Sequence, residues 1–216
     1  MNNEQVKVQV GFQFSDGGYI GLPYWPERNT EINISKDVHP KLGPEKKQAA
    51  LNAALEKRGL SMSDYQRLCR RAERPFYTCD DSDDGGGEIV IPQRVVQSFL
   101  NHASQTVPRV VPRISDKGLT FIGVRVQGGH LRTGKTQADA KVFGRFVKMA
   151  ESNQRSWSES KYIIDFTATG ELLVDEAIIK SDDLRGLFEY AGRYIGLGSG
   201  RPQGYGRFSV IRWDRV

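Results

Sequence analysis

Five glycines fall within the eleven residues from Gly196 to Gly206, in the run Gly196-Leu197-Gly198-Ser199-Gly200-Arg201-Pro202-Gln203-Gly204-Tyr205-Gly206-Arg207-Phe208. A helix or strand interior does not carry that density, because glycine loses more conformational freedom on ordering than any other residue. The run has to be a loop. A helical pattern from Ser181 to Arg193 leads into it, and a strand-like run from Phe208 to Trp213 leads out. Without a Cβ, glycine reaches positive φ cheaply and lets the main chain come close to a partner. Successive exposed N–H groups in such a turn can cradle an anion, phosphate above all. The same glycines also suit a tight connector that only satisfies packing. Arg201 and Arg207, set inside the glycine frame, favour phosphate contact.

The remaining pattern supplies elements on which to hang that loop. Gln5 to Phe14 alternates, with Val6, Val8, Val10, Phe12 and Phe14 on one face and Lys7, Gln9 and Gln13 on the other, the period of a half-buried strand. Ser15 to Pro40 has no sustained period and reads as irregular or a short hairpin. Pro44 opens a helix over Glu45 to Lys57 that Gly59 terminates, and a second helix runs from Ser63 to Ala72. Its Arg67, Arg70, Arg71 and Arg74 make a solvated face or a binding face. Asp80 to Gly87 is acidic, but its spacing is not that of a calcium loop and no distal glutamate completes one, so no metal site is expected. Glu88 to Pro92 is strand-like. It runs into a helix whose Val95, Val96, Phe99, Leu100 and Ala103 share one side, as for packing on a sheet. After a proline-rich connector, Leu119 to Gln127 reads as a strand, as does Lys161 to Ala168. Thr169-Gly170 reads as a turn, with an edge hairpin from Glu171 to Ile179. Ser181 caps the last helix, whose stripe is Leu184, Leu187, Phe188 and Ala191.

Gly128 to Ser160 differs in composition. It holds Arg132, Lys135, Lys141, Arg145, Lys148 and Arg155, interleaved with Phe143, Phe146 and Trp157. Cations neutralise phosphates and release counterions, and flat rings stack bases, so this mixture suits a single-stranded nucleic acid. An amphipathic helix with buried aromatics is the alternative. The formal net charge of +5 over 216 residues points mildly the same way. Cys69 and Cys79 form no zinc or disulfide framework and read as reduced thiols. With no long apolar run and no leader-like start, a cytoplasmic setting without membrane contact is expected, and no cofactor is implied.

With the insertions set aside, the order is strand, helix, strand, strand, helix, strand, the split βαβ arrangement of ferredoxin-like folds. The expected class is α+β, a ferredoxin-like (RRM-like) βαββαβ domain spanning 1–216. Insertions fall at about 15–87 (helical) and 128–160 (basic). The aromatic run of a true RNA-recognition motif is absent. Gly196-Leu197-Gly198, then five residues including Arg201, then Gly204-Tyr205-Gly206, resembles the terminal glycine-rich loop of the RAMP superfamily, the repeat-associated proteins of CRISPR systems. Glu88-Ile89-Val90-Ile91-Pro92 leading to Leu100 and Ala103 is similar to the start of the first helix in backbone-type members. Asp64 to Tyr77 is similar to stand-alone relatives in phage genomes.

The resemblance implies a non-catalytic protein that grips single-stranded RNA (DNA being the other possibility), as a homo-oligomer or a subunit of a ribonucleoprotein. It places Gly196, Gly198, Arg201, Gly204, Gly206 and Arg207 against phosphates. Arg132, Lys135, Lys141, Arg145, Lys148, Arg155 and Trp157 join them from composition. The crRNA-processing endoribonuclease branch shares the loop. There His39 would be the general base or acid, with His130 an outside candidate. A third reading is a structural or inhibitory interaction protein on the same fold.

Overall fold

The computed structural model describes residues 5–14, 18–21, 25–39, 41–72, 75–79, 87–106, 122–148 and 155–216. They form an α+β fold with five α-helices and a mostly antiparallel sheet. Strand β1 (Gln5–Phe14) is central. Its alternation buries Val8, Val10, Phe12 and Phe14. It pairs antiparallel along its whole length with a late strand, Phe166–Asp175, from Gln5↔Asp175 to Phe14↔Phe166.

Numbered in chain order, the other strands are β2 (Tyr19–Ile20), β3 (Tyr77–Thr78), β4 (Ile89–Pro92), β5 (Val124–Val126), β6 (His130–Arg132), β7 (Lys141–Lys148), β8 (Arg155–Ile163) and β10 (Ser209–Arg215), with Phe166–Asp175 as β9. The helices are α1 (Trp25–Asp37), α2 (Pro44–Glu56), α3 (Met62–Ala72), α4 (Gln93–Thr106) and α5 (Ser181–Tyr194). The larger sheet runs β10-β1-β9-β6-β4-β3, with β5 also on β9. A smaller one runs β2-β8-β7.

The apolar stripes of α4 and α5 close one face of the larger sheet. Phe12 stacks on Phe188 at 5.0 Å, and Phe99 and Phe208 lie against the same pair. Trp213 of β10 joins them, its Nε1–H donating to Ser181 Oγ at 3.2 Å. Helices α1 to α3 form a separate layer around Ile34, Ala54 and Leu55. No helix among the described residues is long and apolar enough to cross a membrane.

Three local expectations change. Trp25–Asp37 is a helix, although its sequence carries no 3.6-residue stripe. Tertiary contact supplies the missing signal. Ile34 is fully buried, and the Arg58 guanidinium ties the helix end by pairing with Asp37 at 2.7 Å and donating to Asn33 O. Thr169-Gly170 is not a turn but the middle of β9. A Cβ at Gly170 would stand 2.7 Å from Leu131 Cδ2, so glycine serves close packing there. The chain bends earlier, at Asp165, whose φ of 51° is a left-handed conformation that aspartate tolerates; Phe14↔Phe166 and Tyr19↔Ile163 keep the same direction on either side. Among the described residues the basic segment holds no α-helix; it supplies β6, β7 and most of β8. The acidic run 80–86 and the connector 107–121 lie outside the described residues.

Candidate nucleic-acid interface

Helix α5 ends where Gly196 turns left-handed at φ 79°, with the Ile195 and Gly196 N–H groups both donating to Ala191 O. The chain then folds back on itself. Leu197 N–H donates to Gly206 O at 2.8 Å, and Phe208 N–H to Gly192 O at 3.0 Å. The loop is also sewn to β2: Ser199 N–H donates to Ile20 O and Gly206 N–H to Gly18 O. A Cβ at Gly206 would fall 1.8 Å from Leu197 O. These glycines build a frame.

The tip is different. Arg201–Gln203 makes one 3-10 turn between two left-handed glycines, Gly200 and Gly204. The N–H groups of Gln203, Gly204 and Tyr205 are also given to backbone carbonyls of the loop. Most of the loop's donors are thus satisfied internally. What it offers outward is side-chain charge: Arg207 is exposed, Arg201 half-buried, and neither has an ion-pair partner among the described residues.

Tyr205, between Gly204 and Gly206, carries the loop's aromatic contact. Its ring centroid lies 5.3 Å from Phe143 on β7 and 5.8 Å from Tyr162 on β8. Phe143 and Tyr162 meet edge-on at 6.3 Å. Exposed Lys141 is the cross-strand partner of Tyr162. Loop and β7–β8 ladder therefore meet at three half-buried rings flanked by Lys141. Sequence reasoning named Lys141 as a site residue and Phe143 only as part of the basic and aromatic mixture, and it named neither Tyr162 nor Tyr205. The one available signal was a tyrosine enclosed by glycines. Arg145, Lys148, Arg155 and Trp157 occupy positions on the same ladder, in the pairs Arg145↔Ser158, Phe146↔Trp157 and Lys148↔Arg155.

Arg132 stands elsewhere, on β6, where Arg132 Nε and Nη2 donate to Glu88 Oε2 at 2.8 and 2.6 Å. Glu88 Oε1 accepts the Gly134 N–H at 2.7 Å. Burial pushes the Glu88 carboxyl up, but the Arg132 and Gly134 hydrogen bonds outweigh it and hold the group below its ordinary range. Arg132 thus clasps β6 to the start of β4. Lys135 is half-buried nearby, its carbonyl accepting Ile89 N–H.

His39 is exposed just past the end of α1, with Nδ1 accepting the Lys41 N–H at 3.2 Å. His130 is half-buried on β6, paired with Pro92. The helix-free face of the larger sheet presents Lys7, Gln9, Gln13, Arg125, Thr169, Glu171 and Arg212, and the register adds Arg132, His130 and Tyr77, whose ring lies 4.4 Å from the Arg94 guanidinium. Tyr19 belongs to the core: burial raises its phenol pKa far above the ordinary value, only partly countered by the Arg94 charge. No cluster of three or more metal-ligating side chains occurs among the described residues.

No protein-family model matches this chain, and no curated protein matches it in sequence. Its architecture does have solved counterparts. A chain of the cryo-EM structure of the Type III-B Cmr-beta bound to cognate target RNA aligns over 98% of this chain with a TM-score of 0.51 and 10% identity. That match shows a shared fold. The present chain spans 61% of that chain's length. The crystal structure of Cmr6 from Pyrococcus furiosus aligns over 94% of this chain and 97% of its own, at 10% identity and a TM-score of 0.33.

Proposed function

We propose that this chain is a non-catalytic, single-stranded nucleic-acid-binding protein of the CRISPR-associated RAMP type, with RNA as its ligand, working as a subunit of a ribonucleoprotein. The observation that carries the reading is the junction of the glycine loop with the β7–β8 ladder. Two guanidiniums without ion-pair partners, Arg201 and Arg207, share one loop with Tyr205, whose ring meets Phe143, Tyr162 and the neighbourhood of Lys141. Charge for phosphates beside rings for bases is the chemistry of single-strand recognition.

The frame supports the same reading. Taken as β1, α4, β5 with β6, β9, α5 and β10, the element order and the sheet order β10-β1-β9-β5/β6 support reading the frame as a ferredoxin-like βαββαβ domain. On this reading 1–216 is one RAMP-like domain, with α1 to α3 and the β7–β8 ladder as its insertions. The solved Cmr-beta structure of like fold was determined with target RNA bound. Helix packing covers one sheet face, and on the other, among the described residues, the Tyr77 ring already lies under the Arg94 guanidinium, so we assign the bases to the loop and ladder rather than to the sheet.

Fluorescence anisotropy with labelled single-stranded RNA and DNA of several sequences tests this across a salt series. Arg201→Ala and Arg207→Ala should each weaken binding about equally for every sequence. Each should also reduce the slope of log K against log salt by about 0.7, the share of one phosphate on a single strand. Tyr205→Ala should cost about 1–3 kcal/mol of affinity with the slope unchanged. Binding indifferent to all three would remove the loop from the interface.

A further inference from the structure

The outer edge of β10 is the end of the larger sheet, and no described strand pairs with it. Val216 N–H donates to Lys7 O at 2.9 Å, and the register runs Val8↔Arg215, Gln9↔Asp214 and Val10↔Trp213. Hydrogen-bonded and non-bonded pairs alternate along an antiparallel ladder. Val216, Asp214 and Arg212 therefore turn their main-chain groups toward β1. Trp213 and Arg215 turn theirs outward, where no described strand meets them. Isolated edges of this kind recruit further strands unless charge or geometry prevents it.

The charge on this edge is self-complementary. Arg212 and Asp214 lie on the helix-free face, both more than half exposed, and in the single chain they contact each other at 2.7 Å along the strand. Suppose a second copy of β10 is laid antiparallel with the dyad at Trp213. Each Arg212 then stands opposite the other copy's Asp214, and each Asp214 opposite its Arg212. The two Trp213 main chains can exchange both N–H···O=C bonds at the centre. Beyond these pairs Ile211, 60% exposed and the extra residue of a bulge against β1, comes level with the other copy's Arg215, which within its own chain pairs with Glu176. A dyad on Arg212 or on Asp214 would instead oppose like charges.

We propose that β10 pairs with the β10 of a second copy of this chain about a dyad at Trp213, joining two sheets into one continuous sheet across an isologous dimer. The argument is independent of nucleic-acid binding. It uses only the edge, its hydrogen-bond phase and the Arg-Trp-Asp order.

Sedimentation equilibrium of the full chain, after nuclease treatment so that nucleic acid cannot bridge copies, tests the dimer. The wild type should show a reversible monomer–dimer equilibrium. Arg212→Asp and Asp214→Arg should each raise the dimer Kd at least about tenfold, because two attractive cross-strand pairs become repulsive. The double exchange, Arg212→Asp with Asp214→Arg, should restore dimerisation. Should a single variant fail to fold, Arg215→Pro carries the test. It deletes an outward N–H, breaks no bond to β1 and should abolish the dimer. A wild type that is monomeric at every concentration, or variants that associate as it does, would overturn the proposal.

Discussion

Gly206 and Gly204 stand two residues apart and require glycine for different reasons. At Gly206 a Cβ would meet Leu197 O at 1.8 Å, a main-chain atom of the residue whose N–H is bonded to Gly206 O, so nothing there can yield. At Gly204 the nearest atom is Arg207 Cζ at 3.9 Å, and only the φ of 92° resists a side chain. Gly204→Ala should therefore cost about 1–2 kcal/mol, the price of a left-handed alanine. Gly206→Ala should cost more than about 3 kcal/mol, with steric overlap added to the same strain. Urea unfolding of the two variants measures the difference. Glu88 offers a second test at this scale. Its carboxyl is held below the ordinary range in the fold, as are Asp64 and Asp139 by the Ser61 and Thr136 groups that cap them. A depressed carboxylate pKa means the unfolded chain binds protons first as pH falls. The stabilisation is complete above the unfolded value, about 4.3 for glutamate, and disappears as pH drops through the folded one. Denaturant midpoints should be level near neutrality and fall below about pH 4. Glu88→Gln should lower the neutral plateau and flatten part of that acid limb.

Among the elements, the β7–β8 ladder depends on its neighbours. It joins β2 through only two register pairs, Tyr19↔Ile163 and Ile20↔Tyr162, and meets the glycine loop through the Tyr205 ring. A short antiparallel pair is marginal without a packed face. Tyr205→Ala should speed amide exchange along Lys141–Lys148 and Arg155–Ile163 while β1 and β9 keep their protection. Tyr205→Phe, which keeps the ring, should change neither. Hydrogen-exchange mass spectrometry separates these outcomes. This ladder also marks where the sequence could be read and where it could not. β1, α4 and α5 were legible because each buries one face against a single core, so burial writes a period of 2 or 3.6 into the residues. Trp25–Asp37 left no such trace, since Ile34 is the buried residue that anchors it and Asn33, Ser35, Lys36 and Asp37 beside it are exposed. Gly170 misled because packing under Leu131 and a turn both ask for glycine. The placement of the loop between last helix and last strand was legible from its flanks. Its bond to β2 and its ring contacts were not, because they join residues about 180 and about 40 to 60 positions apart in the chain.

At the scale of the molecule, the buried apolar side chains among the described residues gather into two clusters that share no residue. The larger holds the sheet together with α4 and α5; the smaller is Ile34, Ala54 and Leu55, with Leu51, Leu60, Met62 and Tyr65 packed against it. The smaller is thin. A cleft of about 500 Å³ opens beside it, lined in part by Val38, Leu51 and Tyr65. Burial nonetheless pushes the Tyr65 phenol up to about 12, helped by its hydrogen bond with Cys69, so the tyrosine stays neutral and its ring stays part of the packing. Three buried residues cannot supply what the large cluster supplies, and opening free energies vary across a structure with the apolar contacts that resist them. Helices α1 to α3 should therefore open at a lower free energy than the sheet. Leu55→Ala, which leaves a cavity in the small cluster, should remove about 2–5 kcal/mol of local stability. That is enough to collapse exchange protection over residues 44–72 while residues 5–14 and 166–175 retain theirs. The loop, held by β2, β8 and the large cluster, should then keep its shape, and nucleic-acid affinity should survive the loss of the helical layer. Protection falling equally in both regions would mean that the two clusters unfold as one unit, with β2 and the segment before α1 transmitting the loss.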